Sequence, residues 1–149
     1  MKTVVDWRQR EHPHEFEFQG TTDDGLTVEI GARSVADGPK TAPTPKELVA
    51  MAMGSCSGID VVSTLRKMRQ PLVRLRVSCD IEVGTGVPAV FERCLMTYEA
   101  EGEGLSSNRV AHAVKLSFDT HCGVSIMIKR GGCEVTARLL VNGVEVPIA

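Results

Sequence analysis

The stretch TPKELVAMAMGSCSGIDVVSTLRKMRQP, Thr44 to Pro71, decides the fold of this chain. It opens with a capping box, Thr44 and Glu47 flanking Pro45 at the first helical position. There a threonine hydroxyl and a glutamate carboxylate can satisfy two backbone N–H groups that the first turn leaves free. The spacing predicts a helix over Leu48 to Met68. Arg66, Lys67 and Arg69 gather at its C-terminal end, where cations oppose the helix dipole, and Gln70-Pro71 stops it. From Leu48 to Ile59 it has no charged residue and no polar face. A helix apolar all round needs cover on several sides, so it belongs in the interior. The uncharged run is shorter than the roughly 20 residues needed to cross a bilayer, which favours a core helix over a membrane span.

Upstream, Phe16 and Phe18 alternate with Glu15, Glu17 and Gln19. Asp23-Asp24-Gly25 makes a turn, and Leu26, Val28 and Ile30 alternate with Thr27 and Glu29, so a hairpin is expected, followed by a loop from Ala32 to Pro43. Downstream, period-two alternation from Val73 to Val83 puts Val73, Leu75, Val77, Cys79, Ile81 and Val83 on one face of a strand and Arg74, Arg76, Ser78, Asp80 and Glu82 on the other. A second long strand is expected near Val90 to Ala100. A helix follows, capped by Ser106-Ser107-Asn108 and interrupted at His121-Cys122-Gly123. A short helical segment then ends at Gly131-Gly132, and a strand from Cys133 to Val141 closes on the Asn142-Gly143 turn. Long antiparallel strands with segregated helices imply an α+β fold.

The chain has 149 residues, 42% hydrophobic and 24% charged, with a net charge of -2. That is enough for one buried core, so a single domain spanning residues 1–149 is expected. No basic stripe is present, which argues against nucleic acid as a partner. The charged N-terminus has no apolar signal-peptide core, and five cysteines without framework spacing argue against a secreted disulfide scaffold. A cytoplasmic protein with no membrane partner is expected. No Cys-x-x-Cys or His-x-x-x-His spacing suggests zinc, and no cofactor is implied.

Two cysteines fall at weakly charged points of helical segments: Cys56 in the central helix and Cys122 at the later break. A redox pair requires two sulfurs brought to one water-poor place, whereas a cysteine that is merely packed is a small hydrophobe. Cys79, Cys94 and Cys133 read as packing residues on inward strand faces. Ala52, Gly54, Ser55 and Gly58 would let another helix approach closely and leave room for an organic ligand near Met51 and Met53. If a new helical turn begins at Gly123, capped by Asp119 or Thr120, Cys122 sits near a helix N-terminus, where thiolates are favoured.

Pro45-Lys46-Glu47-Leu48, then Gly54-Ser55-Cys56-Ser57-Gly58-Ile59-Asp60-Val61, the turn at Pro88 to Phe91, and Ala113-Val114-Lys115-Leu116-Ser117 leading to Cys122 together resemble the OsmC/Ohr family of osmotically inducible and organic hydroperoxide resistance proteins. The resemblance covers about Gln19 to Val141. It implies an intertwined homodimer in which antiparallel sheets wrap paired central helices. It also implies a thiol peroxidase in which Cys56 attacks an organic hydroperoxide, Cys122 resolves the sulfenic acid as a disulfide, and an external thiol or dithiol regenerates the pair.

One departure bears on turnover. Efficient members hold the attacking thiolate with an Arg from an N-terminal loop, fixed by a Glu directly after the helix-opening Pro. Here that place is Lys46, Glu47 comes one residue later in the capping box, and no Arg stands near Gly20-Thr21. Arg33 is the best substitute, and His121 is a further supporting candidate that could donate to a thiolate. The alternative reading is a non-catalytic redox sensor or a binder of a hydrophobic ligand near the thiols.

Overall fold

The computed structural model describes residues 1–11, 14–32 and 40–148. Arg33 and most of the loop expected between Ala32 and Pro43 lie outside the described residues. The contacts divide the chain into two compact units, Met1–Val49 and Ala50–Ala149.

In the first unit, β1 (Thr3–Trp7), β2 (Glu17–Thr22) and β3 (Thr27–Gly31) form an antiparallel sheet in the order β1-β2-β3. The β2–β3 hairpin is the one expected from Asp23-Asp24-Gly25. Gly25 takes φ +86°, a left-handed conformation that costs glycine little, and its N–H closes on the Thr22 carbonyl at 3.0 Å. β1 was not foreseen, because Thr3 to Trp7 carries no alternation and is exposed along its whole length. Its pairing with β2 stabilises it instead. Glu17, buried at the start of β2, accepts hydrogen bonds from Thr41 and Arg10 and pairs with His14. These partners hold its carboxyl below the usual carboxylate range, led by the Thr41 hydroxyl.

The capping box forms as the spacing predicts, at the head of α1 (Pro45–Lys67). The Thr44 N–H donates to Glu47 Oε2 at 2.8 Å, and the Glu47 N–H donates to Thr44 Oγ1 at 3.4 Å. Lys40 also pairs with the Glu47 carboxylate. Its pKa falls from 4.5 to about 2, owing first to the Lys40 hydrogen bond and then to those from Thr44. A depressed folded-state pKa stabilises the fold above the ordinary carboxylate range and loses that contribution as pH falls from about 4.5 toward 2. Thr44→Ala should cost about 0.5–2 kcal/mol near neutral pH. Glu47→Gln should keep most of the cap while flattening the acid limb of stability, as read from denaturant unfolding near neutral pH and again below about 3. An unchanged acid limb in Glu47→Gln would remove Glu47 from the cap.

α1 ends in a Schellman motif. The Gln70 N–H bonds the Leu65 carbonyl, the Arg69 N–H bonds the Arg66 carbonyl, and Arg69 takes φ 53° where glycine is the usual residue.

In the second unit, β4 (Arg74–Val83), β5 (Phe91–Glu101), β6 (Glu134–Val141) and β7 (Val144–Val146) form one sheet in that order. β4–β5 and β6–β7 are antiparallel, but β5–β6 is parallel, which corrects the expectation of antiparallel pairing throughout. The cause is the connection: α2 (Ser107–Leu116), a π-helical turn (Ser117–His121) and α3 (Gly123–Arg130) lie between β5 and β6, long enough to return the chain in the same direction. The α+β class stands. α3 stops where Gly131-Gly132 predicts, with Gly132 at φ +96°.

The core is built from Met53, Val61 and Leu65 of α1, Cys94, Met96, Tyr98 and Ala100 of β5, and Val110, Ala113 and Val114 of α2. Leu75, Val77, Cys79 and Ile81 of β4 pack against it, the middle of the face that the alternation assigned, whereas Val73 and Val83 at its two ends are exposed. Each fully buried large aliphatic side chain contributes roughly 1.5–3 kcal/mol. Gly54 and Gly58 do not face another helix, as expected, but strand β4. A Cβ on Gly54 would sit 3.4 Å from Cys79 Sγ, and one on Gly58 would sit 3.6 Å from Val77 Cγ2. Met53 is in the core whereas Met51 is exposed, so the two do not line one pocket. Among the described residues, α1 is the one helix long and apolar enough to cross a bilayer by length and composition. Its Met53, Gly54, Ser57, Val61 and Leu65 side is buried, but Val49, Met51 and Ile59 are exposed, which corrects the expectation of a helix covered on several sides: the chain alone covers one face.

Candidate functional site

Cys56 and Cys122 meet at the N-terminus of α3. Cys56 is half-buried on α1, and Cys122 is fully buried. Both thiols are free. The break that carries Cys122 arises because the Cys122 N–H bonds the Ser117 carbonyl, five residues back, at 3.0 Å. This π-type closure ends the first helix, and Cys122 turns extended at φ -70°, ψ 95°.

Cys122 is itself the cap of α3. Its Sγ accepts the Ser125 N–H at 3.4 Å, and its S–H reaches the Met53 carbonyl at 3.8 Å. The expected caps are otherwise engaged: Asp119 pairs with Lys115 at 3.2 Å, and the Thr120 hydroxyl turns back to the Leu116 carbonyl at 2.7 Å. Lys129 clasps the turn from the far end of α3, donating to the Phe118 carbonyl at 2.6 Å with its ammonium 3.2 Å from the Phe118 ring centre. Burial lowers its pKa.

Around Cys56, burial is the largest influence and pushes the thiol above its usual range. The Val124 N–H, in the first turn of α3, opposes that rise, while the neighbouring Cys122 thiol and the charge of Asp60 add to it. Two backbone N–H groups of one helix start therefore point at the two sulfurs, an arrangement that favours a thiolate once one forms. Desolvation holds that thiolate back.

Cys56 and Cys122 are thus brought together, but not with all the supporting candidates. His121, at the end of the π-helical turn, is exposed. Glu47 is occupied in the capping box. Cys94 and Cys133 are core residues and Cys79 packs against them, consistent with the packing role. Cys79 and Cys94 are neighbours on β4 and β5, and each thiol acts on the other, lowering the pKa of the first and raising that of the second. Among the described residues, no group of three or more His, Cys, Asp or Glu is arranged to hold a metal ion.

The reading of the sequence missed a buried polar line beside the thiols, formed by Ser57, Tyr98, Ser117 and Asp60. One signal was available. Ser57 lies on the same helix stripe as Met53 and Val61, and a buried serine there demands a hydrogen-bonding partner.

A family model described as OsmC-like protein matches residues 38–138. Protein YhfA of Escherichia coli (strain K12) is 39% identical over 89 residues, 60% of this chain and 66% of YhfA, so the match spans just under two thirds of that relative. A hypothetical protein from Aquifex aeolicus superposes with a TM-score of 0.78 at 24% identity, covering 95% of each chain. The organic hydroperoxide resistance protein OhrB of Bacillus subtilis superposes with a TM-score of 0.62 at 17% identity, covering 93% of this chain and 96% of its own. Identities of this size in the two solved structures show a shared fold alone.

Proposed function

The chain belongs to the OsmC-like family, and from that premise we propose that it is a thiol-dependent peroxidase that reduces organic hydroperoxides through Cys56 and Cys122. The observation that carries the reading is the meeting of these two thiols, one from α1 and one from the turn before α3, at a helix N-terminus. The Cys56 thiolate attacks the terminal peroxide oxygen, the O–O bond breaks, and the alcohol leaves with a proton. Cys56 is left as a sulfenic acid. The Cys122 thiol then displaces the hydroxyl as water and forms the disulfide, which an external thiol or dithiol reduces. A neighbouring resolving thiol protects Cys56 from further oxidation. A protein of the same fold, OhrB of Bacillus subtilis, is named for organic hydroperoxide resistance, and the proposed substrate class is taken by analogy with that name.

The reading includes a homodimer. Met51 and Ile59 are 57% and 69% exposed on an otherwise uncharged stretch of α1, apolar surface that a homodimer would cover. A cytoplasmic location, where reductants keep thiols free, completes the reading.

One observation favours the second reading, a redox sensor or a hydrophobic-ligand binder: burial raises the Cys56 pKa, which slows any nucleophilic attack. Titration of the purified protein with an organic hydroperoxide, scored for free thiols and by mass spectrometry, separates the two. The peroxidase loses two thiols per chain and consumes further peroxide when dithiothreitol is supplied. A protein that reacts once and does not turn over with the dithiol is a sensor. The same preparation should sediment as a dimer at micromolar concentration, and a stable folded monomer would count against the homodimer.

A further inference from the structure

A line of buried hydrogen bonds joins the two cysteine-bearing segments. Ser117, the first residue of the π-helical turn, sits 3.1 Å from Asp60 Oδ2 and 2.9 Å from Ser57 Oγ, and Ser57 Oγ lies 2.6 Å from the Tyr98 hydroxyl. Ser57, Ser117 and Tyr98 are almost wholly buried. An ionised carboxylate can only accept, so Asp60 sets the direction of the line. Ser117 donates to Asp60 and accepts from Ser57, and Ser57 accepts from Tyr98. Ser57 and Asp60 belong to α1, next to Cys56 and one turn beyond it. The carbonyl of Ser117 is the one that accepts the Cys122 N–H. One residue is therefore bonded through its side chain to the Cys56 helix and through its backbone to Cys122.

We propose that Ser117 and Asp60 are positioning residues for disulfide closure: they pin the π-helical turn to α1 and hold Cys122 against Cys56. The inference rests on the reading of these cysteines as a redox pair. In the step concerned, the S–O bond of the Cys56 sulfenic acid breaks and an S–S bond forms. The Cys122 thiol proton leaves with the hydroxyl as water, the sulfenic sulfur is reduced and the thiol sulfur is oxidised. No outside electrons are needed. Closure demands tight geometry, because disulfide sulfurs tolerate little misplacement, and a displacement of about 1 Å can cost on the order of a hundredfold in rate. Attack on the peroxide makes and breaks no bond at Cys122, and the Ser117 hydroxyl bonds Ser57 and Asp60 and not a sulfur, so attack depends far less on the turn than closure does.

The test is Ser117→Ala, with Ser117→Thr as the variant that keeps the hydroxyl and Asp60→Ala as the variant that removes the other end. With an excess of tert-butyl hydroperoxide, enough to carry a lingering sulfenic acid on to sulfinic acid, Ser117→Ala should form the Cys56 sulfenic acid within about twofold of the wild-type rate. Its disulfide should close at least about tenfold more slowly, with sulfinic acid accumulating on Cys56. Ser117→Thr should restore closure. A loss of stability alone would leave this partition between disulfide and over-oxidation where it was.

If Ser117→Ala does not fold, Asp60→Ala is read on the partition between disulfide and over-oxidation alone, because removing the Asp60 charge also changes the Cys56 thiol. Wild-type partition in a folded Ser117→Ala, or in Asp60→Ala where that variant carries the test, overturns the proposal. Diamide, which oxidises a thiol pair to a disulfide while being reduced to its hydrazine, separates this outcome from a failure of the peroxidase reading. A wild-type protein inert to hydroperoxide still closes its disulfide with diamide, and slower closure in Ser117→Ala then supports the positioning role. Equal closure rates overturn it.

Discussion

Replacing Cys56 with serine should abolish consumption of organic hydroperoxide, a loss on the order of 10³-fold or more, because a hydroxyl at this place supplies almost no anion and is a far weaker nucleophile than a thiolate. The fold should survive, since Cys56 is half-buried and serine is of similar size. In the unsubstituted protein, burial pushes the Cys56 thiol above the usual cysteine range despite the Val124 N–H. The rate of attack should therefore still be rising above about pH 8.5, where an ordinary cysteine is already half ionised, in step with the thiolate fraction. Cys122→Ser gives the complementary result. Its oxygen can keep the cap on the Ser125 N–H, so peroxide is consumed, but the reaction ends in over-oxidised Cys56 without a disulfide. These outcomes are read from peroxide depletion and from the mass of the Cys56 peptide. Should Cys56→Ser consume hydroperoxide at the wild-type rate, the peroxidase reading fails and ligand binding moves ahead.

The second large effect is on stability. Gly102 follows β5 at the end of the sheet, and a Cβ there would lie 2.0 Å from the carbonyl oxygen of Pro71 and 3.1 Å from its carbon. Both are backbone atoms and cannot swing aside as a side chain would. Gly102 is also clasped by Asn142, whose side chain accepts its N–H at 2.9 Å and donates to its carbonyl at 3.0 Å. Moving the backbone to admit a methyl group strains the chain after α1 and this clasp together. Gly102→Ala should cost about 1–3 kcal/mol or more. A urea unfolding midpoint equal to that of the wild type would show that the approach of Pro71 to Gly102 is not tight in solution.

Much of the fold was legible because it is written in short-range chemistry. The capping box of Thr44 and Glu47, the stop at Gln70-Pro71, the hairpin at Asp23-Asp24-Gly25 and the period-two face of β4 all depend on neighbours within a few residues. The structure reproduces each of them. The family pattern likewise depends on an ordered string of residues, and the matching family model covers the stretch that carries it.

Long-range geometry decided the rest. Whether β6 runs parallel or antiparallel to β5 depends on the return path through α2 and α3, which no local alternation records. That Gly54 and Gly58 admit a strand, and not a helix, depends on what lies opposite α1. β1 and β7 exist only through their pairing partners. At the site, the sequence by itself determined which two cysteines to consider and which flanking residues are small. Tertiary structure alone decided that Cys122 caps α3 itself, that the Val124 and Ser125 N–H groups face the two sulfurs, and that Ser117 ties both segments together. The physical reason is one of range: caps and alternation act within a turn or two of chain, whereas a thiol's environment is set by whichever distant atoms exclude water from it.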